Sequence, residues 1–226
     1  MPKILLITDM HVTKDGLNGI NTIKAFSKVI IAAKNNSRYD SIILCGDLSQ
    51  NGDVSDYELI CGEIRQNYPD MKTYLIAGNH DDQENLKSVT KCIPNISYMD
   101  NRYIDILEHR FIFLNSNITG RSEGNFLIKT LAWLSKTIKL SNLPVYIFTH
   151  HHTLPINLNI DHYILKNNHE FLALLKEFSS KITMVICGHT HYFTDKDKHG
   201  IRFITLPSSS MQYSSMSNFT PDNIQM

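Results

Sequence analysis

Five short polar motifs contain the residue types that bind metal ions and transfer protons. They are Asp9-Met-His11, Gly46-Asp47, Gly78-Asn79-His80-Asp81, His150 and Gly188-His189-Thr190-His191. Imidazole and carboxylate groups together suit Mn, Fe or Zn better than Ca or Mg. A carboxylate has two oxygens and can bridge two metal ions, and such a pair can clamp the attacking and leaving oxygens of an in-line displacement. These residue types therefore predict a hydrolase with two divalent metal ions.

Each motif alone also has a structural interpretation. Asp9 fits a turn or a helix N-cap, and Gly46-Asp47 is a common turn. A single His150 is more often a hydrogen-bonded structural residue, and the Gly188 motif suits a loop with solvated imidazoles. The Gly78 motif is the most specific, because three polar residues of ligand type follow an apolar run directly. Seven of the 11 histidines lie in the motifs or directly beside His150, and this joint occurrence favours the metal site.

The motifs follow short apolar runs that read as β-strands. We predict strands at 3–8, 40–45, 73–77, 102–107, 110–115, 145–149, 182–187 and 201–206. We predict helices at about 18–35, 55–68, 125–139 and 167–179. The second of these is expected to begin with a capping box formed by Ser55 and Glu58. The hairpin 102–115 is expected to turn at Glu108-His109.

This order of elements predicts an α/β fold with parallel strands first and a mixed second half. Open α/β sheets bind ligands at the carboxyl ends of their strands, so the five motifs should converge there. Glycines 46, 78 and 188 suit sharp exits from a strand, where φ is positive or the backbone passes close to the site. No repeat or linker interrupts the chain, which predicts a single domain over residues 1–226.

Composition narrows the choice of partners and compartment. Lys and Arg number 22, as do Asp and Glu, so no net charge attracts nucleic acid or an anionic membrane. The first apolar run breaks at Thr8-Asp9, and no run approaches a membrane span. The four cysteines (45, 61, 92 and 187) lack close pairing, and we expect reduced thiols in a cytoplasmic protein.

As a set, the motifs resemble those of the calcineurin-like metallophosphoesterases: D-x-H, GD, GNH(D/E), H and GHxH, from about residue 3 to 210. The resemblance implies a four-layer αββα sandwich with two mixed sheets. It also implies that Asp9, His11 and His191 bind one metal, that Asn79, His150 and His189 bind the other, and that Asp47 bridges them. His80 would not be a ligand; it would face the phosphate and assist the leaving group.

A narrower resemblance is to bacterial class III cyclic-nucleotide phosphodiesterases. It rests on 114–134, 148–155, Asp161, 165–167 and Leu206-Pro-Ser-Ser. Asn115 stands where that branch usually has Asp, and Thr153 stands where Pro is common. The chain ends soon after Asn218-Phe-Thr, so we expect shortened C-terminal strands and leave a homodimer open.

This branch implies hydrolysis of a small phosphodiester, with 3′,5′-cyclic AMP giving 5′-AMP. Other substrates that the same motifs could serve are a glycerophosphodiester, a nucleotide anhydride or a phosphomonoester. A non-catalytic scaffold of the same fold is a further alternative, but loss of ligands would mark it, and all seven ligand positions are filled. Turnover of a panel of diesters and monoesters would separate these alternatives.

Overall fold

The first half of the chain forms a parallel four-stranded sheet covered by helices. The computed structural model describes residues 2–211. Its first elements are β1 (Ile4–Ile7), α1 (Thr22–Asn36), β2 (Ser41–Cys45), α2 (Val54–Asn67), β3 (Thr73–Ile76), α3 (Gln83–Thr90) and β4 (Ile96–Tyr98). The strand order is β1-β2-β3-β4, and every pairing is parallel. The expectation of two mixed sheets is therefore wrong for this sheet, because each strand is followed by a helical crossover that returns the chain in the same direction.

The second half forms a mixed six-stranded sheet. Its elements are β5 (Arg102–Ile106), β6 (His109–Phe113), α4 (Ile128–Lys139), β7 (Val145–Phe148), a 3₁₀ turn (Asn159–Tyr163), α5 (Asn168–Glu177), β8 (Ile182–Cys187), β9 (Thr194–Lys198) and β10 (Ile201–Thr205). The order is β5-β6-β7-β8-β10-β9, with antiparallel pairs at the two edges. The predicted change from a parallel first half to a mixed second half is confirmed.

Three apolar clusters define four layers. Successive side chains of a strand point to opposite faces, and in β2 Ile42 and Leu44 join the cluster with α1 and α2, whereas Ile43 and Cys45 join the cluster between the sheets. A third cluster packs α4 and α5 against the second sheet. Each fully buried aliphatic side chain contributes about 1.5–3 kcal/mol. The αββα order is confirmed, and it places the strand ends of both sheets side by side.

Several predicted helix starts differ from the structure, and α4 begins at Ile128 rather than near residue 125. Helix α1 begins at Thr22 rather than near residue 18, because the Asn21 side chain accepts a hydrogen bond from Lys24 N at 2.9 Å and caps it. Helix α2 begins at Val54 after the N-cap residue Asp53, so Ser55 lies inside the helix. The predicted capping box is therefore wrong.

Three elements were not predicted. Helix α3 is short and largely polar, β4 has three residues, and β9 has the sequence TDKDK, in which no apolar alternation is present. The predicted hairpin exists, but its turn is at Leu107-Glu108, where both residues have positive φ. That geometry matches the right-handed twist of a two-residue hairpin.

The cysteine pairing and the length of the helices bear on disulfides and on membrane spans. All four cysteines are free thiols; Cys45, Cys61 and Cys187 are buried and Cys92 is exposed. Between residues 2 and 211, no helix combines the length and apolar character needed to cross a membrane.

Candidate metal centre

The five motifs converge at one end of the two sheets. They follow β1, β2, β3, β7 and β8, as the sequence predicted. Their side chains form three overlapping groups, and within each group the candidate ligand atoms lie within 4.8 Å of one another. The groups are Asp9/His11/His191, His11/Asp47/His80 and Asp47/His150/His189. Residues separated by up to 182 positions in the chain thus share one polar cluster.

The backbone bends sharply at the candidate ligands themselves. Positive φ angles occur at Asp9 (52°), His11 (44°), Asp47 (48°), His189 (70°) and His191 (53°). Such angles are uncommon for residues with a side chain and cluster at functional sites. We expected strand-exit glycines to supply this conformation, and among the three only Gly46 does so, with φ of 87°.

The other two glycines permit close approach instead. A Cβ atom on Gly78 would collide with the Asp47 carboxylate. A Cβ atom on Gly188 would collide with the hydroxyl of Thr8 and with the Asp9 carboxylate. These glycines therefore let the two carboxylates lie directly against neighbouring loops.

Asp9 joins the first group to the rest of the site. Its Oδ2 accepts a hydrogen bond from the Thr8 hydroxyl at 2.7 Å, and its carboxylate accepts one from His189 N at 3.1 Å. His191 Nε2 lies 3.4 Å from Asp9 Oδ1 and 3.1 Å from His11 Nε2. The carboxylate thus fixes the backbone of one histidine and the ring of another.

His150 joins the second group to the core. Its Nδ1 donates to the Cys45 carbonyl at 3.0 Å. Its Nε2 lies 3.3 Å from Asp47 Oδ2 and 3.2 Å from Asn79 Oδ1. His80 N donates to Asp47 Oδ1 at 2.9 Å, so Asp47 has one oxygen turned toward His150 and the other held by the Gly78 motif.

The pKa shifts of Asp47, His11 and His189 favour the protonation states that metal binding requires. Burial alone would raise the pKa of Asp47, but His150 and other histidines hold it well below its usual value. Burial lowers the pKa of His11 to about 4 and that of His189 well below its usual value. For His150, burial is outweighed by the Asp47 carboxylate, and its pKa rises to about 9. Ionised carboxylates and neutral imidazoles are the forms that ligate metals.

This donor set fits a pair of divalent cations. Because Nδ1 of His150 is the donor to Cys45, its Nε2 directs a lone pair at the Asp47 carboxylate unless a proton or a cation lies between them. His189 Nε2 is buried and has no hydrogen-bond partner among the described residues. Two groups of nitrogen and oxygen donors meet at Asp47, whose two oxygens can bridge.

His80 lies at the open side of this cluster. Its Nδ1 is 3.0 Å from the Gln50 carbonyl, and its ring meets the His11 ring edge to face at 4.9 Å between centroids. His80 is exposed, whereas His150 and His189 are buried. The same contacts place His80 near Asp47, so geometry alone allows a ligand as well as a proton donor. Its acid role stays a prediction.

Two supporting residues were missed in the sequence. Asp81 accepts hydrogen bonds from Leu48 N (3.1 Å), Ser49 N (3.0 Å), Gly78 N (2.8 Å) and the Tyr57 hydroxyl (3.0 Å). It therefore ties the Asp47 loop to the Gly78 loop, and burial raises its pKa to about 6. Gln50 Oε1 contacts His11 Nδ1 at 2.9 Å. Asp81 had a signal as the fourth residue of its motif; Gln50 had none.

His151 and His152 have structural contacts instead. His151 Nδ1 contacts the Ser116 hydroxyl at 2.7 Å, and its Nε2 lies 3.1 Å from the Ser122 carbonyl. His152 Nε2 lies 3.0 Å from Asp161, and its ring stacks on that of His189 at 5.7 Å. Of the three consecutive histidines, only His150 reaches the candidate ligand groups.

Fold and site together define a class of protein. The family model for calcineurin-like phosphoesterases matches residues 2–193, and the chain belongs to that family. This confirms the resemblance and the prediction of a metal-dependent phosphodiester hydrolase at the level of the family. The family assignment also agrees with the four-layer arrangement of the two sheets.

Two relatives and one solved structure are similar to this chain over most of its length. It is 29% identical to a 3′,5′-cyclic-nucleotide phosphodiesterase from Nostoc sp., over 95% of this chain and 80% of the relative. It is also 29% identical to the glycerophosphodiester phosphodiesterase GpdQ from Enterobacter lignolyticus, over 91% and 77% of the respective chains. Among solved structures, a dimetal phosphatase from Danio rerio shares the fold, with a TM-score of 0.73, 16% identity, and coverage of 92% and 88%.

Proposed function

We propose that this chain is a dinuclear metallophosphodiesterase whose substrate is a small phosphodiester, with 3′,5′-cyclic AMP hydrolysed to 5′-AMP. The observation that carries the proposal is the set of overlapping candidate ligand groups, in which His11 links the Asp9/His191 group to Asp47, and Asp47 in turn belongs to the group with His150 and His189. The diester class is supported by the names of relatives that match over most of the chain. Cyclic AMP is supported by the sequence resemblance through residues 148–155 and Leu206-Pro207.

The proposed ligands divide between two metal positions. Asp9, His11 and His191 would hold one ion, Asn79, His150 and His189 would hold the other, and Asp47 would be shared between them. When bound, such ions supply Lewis acidity toward phosphoryl oxygens and lower the pKa of water. The mixed imidazole and carboxylate donors favour Mn, Fe or Zn.

The chain's own residues then orient the substrate and move a proton. The Asn79 amide can bind a phosphoryl oxygen, and His80 faces the same open side of the cluster. The Gln50 carbonyl lies 3.0 Å from His80 Nδ1 and accepts a hydrogen bond from it, so Nε2 is the nitrogen left to face the substrate. A protonated His80 can therefore donate from Nε2 to the departing alkoxide. Acid assistance of this kind contributes about 100- to 10,000-fold.

A glycerophosphodiester is the second candidate substrate. The specific observation in its favour is that GpdQ matches this chain at the same 29% identity as the cyclic-nucleotide enzyme. The proposed metal ligands serve both substrates equally, because the scissile group is a phosphodiester in each. The choice therefore depends on residues around the metal centre rather than on the ligands.

Turnover of the Mn-loaded protein tests the proposal. The panel comprises cyclic AMP, cyclic GMP, glycerophosphocholine, an aryl diester and an aryl monoester at equal concentration. We expect the diesters to exceed the monoester and cyclic AMP to lead the natural substrates. A monoester that turns over fastest, with cyclic AMP inert at about millimolar concentration (the upper range of common KM values), would overturn the diester assignment and leave the metal site intact.

The remaining expectations concern the protein as a whole. We propose a single catalytic domain over residues 1–226, located in the cytoplasm, that acts on a small molecule rather than on nucleic acid or a membrane. The balanced charge supports the choice of partner. The free thiols support a reducing compartment. A homodimer remains open, and light scattering of the purified protein tests it.

A further inference from the structure

The segment that follows the last strand closes over one side of the metal centre. We call residues Ser208–Met211 the C-terminal clasp. The Ser208 and Ser210 hydroxyls both donate to the Asp9 carbonyl, at 2.7 and 3.0 Å. Ser209 donates its backbone N–H and its hydroxyl to the Thr8 carbonyl, each at 3.1 Å. The clasp therefore holds the exit of β1, where Asp9 has a φ of 52°.

The clasp also reaches a second candidate ligand. Ser208 Oγ accepts hydrogen bonds from Ser210 N at 3.1 Å and Met211 N at 2.9 Å, which folds the segment into a tight turn. This turn presents the Met211 carbonyl to His191 Nδ1 at 3.0 Å. A carbonyl accepts only from a protonated nitrogen, so Nδ1 carries the proton, and Nε2 is the ring nitrogen directed toward Asp9 and His11.

We propose that the C-terminal clasp is a positioning element for the metal ion held by Asp9, His11 and His191, and that it sets the affinity of this position separately from the other. The proposal rests on the metal pair of the proposed function. Two of the three ligands depend on the clasp: Asp9 through its carbonyl, and His191 through its ring orientation. Groups that orient ligands in this way typically change metal affinity by about 10–100-fold when removed.

Most supports of the other metal position are different, and its link to Asp9 is the hydrogen bond that His189 N donates to the Asp9 carboxylate. His150 is oriented by the Cys45 carbonyl, and Asp47 is held by His80 N. Cys45 and His150 belong to the ends of β2 and β7, within the body of the two sheets. Loss of the clasp hydroxyls should therefore weaken one position and spare the other.

Metal titration of a double variant tests the proposal. The variant is Ser208→Ala with Ser210→Ala, which removes both hydroxyls that reach Asp9. Elemental analysis after dialysis against graded free Mn(II) should show one ion held as in the wild type and a second that needs about 10–100-fold more Mn(II). The electron paramagnetic resonance spectrum at limiting Mn(II) should change from a spin-coupled pair to a single ion.

Two control variants define what a general loss of packing would do. Ser41→Ala removes a buried hydroxyl that has no partner among the described residues, and it should change neither affinity. Ser208→Thr with Ser210→Thr keeps the hydroxyls and should restore binding of the second ion.

Each outcome bears on the proposal. Equal weakening of both positions, or unchanged binding of both ions, overturns the clasp as a selective positioning element. If the double variant does not fold, Ser210→Ala alone carries the test, and a smaller weakening confined to the second ion is expected. If the wild-type protein binds only one ion at saturation, both the metal pair and this inference are overturned. If the wild type binds two ions and the double variant binds them equally well, only the role of the clasp is overturned.

Discussion

The two sheets contribute to the metal centre in different ways. The exits of the first sheet supply all the proposed oxygen ligands, Asp9, Asp47 and Asn79, together with one imidazole, His11. Their loops are held by hydrogen bonds such as the four that end on Asp81. The exits of the second sheet supply imidazoles. There the ring of His189 packs against those of His150, His151 and His152, with centroids 4.6–5.7 Å apart.

Because of this difference, the exits of the two sheets should be sensitive to different kinds of substitution. The conformation of a hydrogen-bonded loop depends on the direction of its hydrogen bonds and on the charge of their acceptors. Exchange of a single atom in Asp81 or Asp47 should therefore disturb it. A packed cluster of buried rings depends on volume, so truncation of a histidine should disturb it more than a change in charge nearby.

The largest effect is expected at Asp47, where the ligand groups meet. Asp47→Ala should remove the bridging carboxylate and leave His150 without its anionic partner, so neither metal ion should be retained after dialysis. Elemental analysis of Mn-loaded protein measures this. Asp9→Ala is the comparison: it should mainly weaken one position, with some further loosening of His189, whose backbone N–H the Asp9 carboxylate accepts. Retention of two ions by Asp47→Ala would contradict the bridging role.

The next effect separates His80 from its neighbours. If His80 protonates the leaving oxygen, His80→Ala should keep normal metal content and lose about 100-fold or more in turnover of cyclic AMP or an alkyl diester. An aryl diester with an acidic phenol should lose much less, because its leaving group departs without a proton. Parallel steady-state assays of both substrates and elemental analysis provide the measurement.

His189→Ala is the matched control for His80. It should slow good and poor leaving groups alike and lower metal occupancy, since His189 lies in a candidate ligand group. The contact of His80 with the His11/Asp47 group makes a ligand role the competing explanation. Loss of metal from His80→Ala, or equal slowing of both substrates, would favour that explanation over an acid.

A smaller effect is expected at Asp81, which is a support rather than a ligand. Asp81→Asn replaces an acceptor oxygen by an NH₂ group and sets it against donors such as Gly78 N. We expect a loss of about 1–3 kcal/mol in the free energy of unfolding of the metal-free protein, measured in urea. The metal-loaded variant should also bind both ions more weakly, because the Asp47 and Gly78 loops are no longer tied.

Asp82→Ala provides the control for Asp81. Asp82 caps helix α3 by accepting from Asn85 N at 2.9 Å, so its loss should cost about 1 kcal/mol of stability. It makes no hydrogen bond to the Asp47 loop among those described, and metal binding should be unchanged. Equal effects of both variants on metal affinity would show that Asp81 has no special role at the site.

The sequence predicted the ligand motifs and the topology better than it predicted the residues that hold the ligands in place. Asp9, Asp47 and His150 stand directly after apolar runs, so the rule that strand ends converge was enough to bring them together. The positive φ angles at Asp9 and His191 were not foreseen, because nothing in local propensity favours them. They persist because contacts such as those of Ser208 and Met211, distant in sequence, hold them.

Strand β9 and the role of Gln50, which the sequence did not predict, also depend on contacts with neighbouring segments. Strand β9 carries charged side chains at an edge, where hydrogen bonding to β10 rather than apolar alternation defines it. Gln50 contacts His11 only because β1 and β2 are neighbours in the sheet. Local sequence patterns predict which residues lie at the end of a strand. They do not predict which polar side chain of a neighbouring loop contacts those residues.

The smallest effect is expected at Asn115, which stands where the cyclic-nucleotide branch usually has Asp. Its Nδ2 donates to Gln83 Oε1 at 2.7 Å and to Asp100 Oδ1 at 3.1 Å. Asn115→Asp would replace this donor by a second carboxylate beside Asp100, and we expect a loss of about 1 kcal/mol in the free energy of unfolding. Turnover should change little, since Asn117, not Asn115, donates to the Gly78 carbonyl.

A double-mutant cycle with Asp100 sharpens this prediction. Asp100→Asn supplies an NH₂ group opposite the new carboxylate, so the double variant should recover most of the stability lost by Asn115→Asp. The coupling energy from urea unfolding should be about 0.5–1 kcal/mol, in the range for residues in direct contact. Additive effects would show that Asn115 and Asp100 do not interact, and that Asn at this position needs no partner. Positive coupling would show that Asp100 makes Asn115 the compatible residue in this chain.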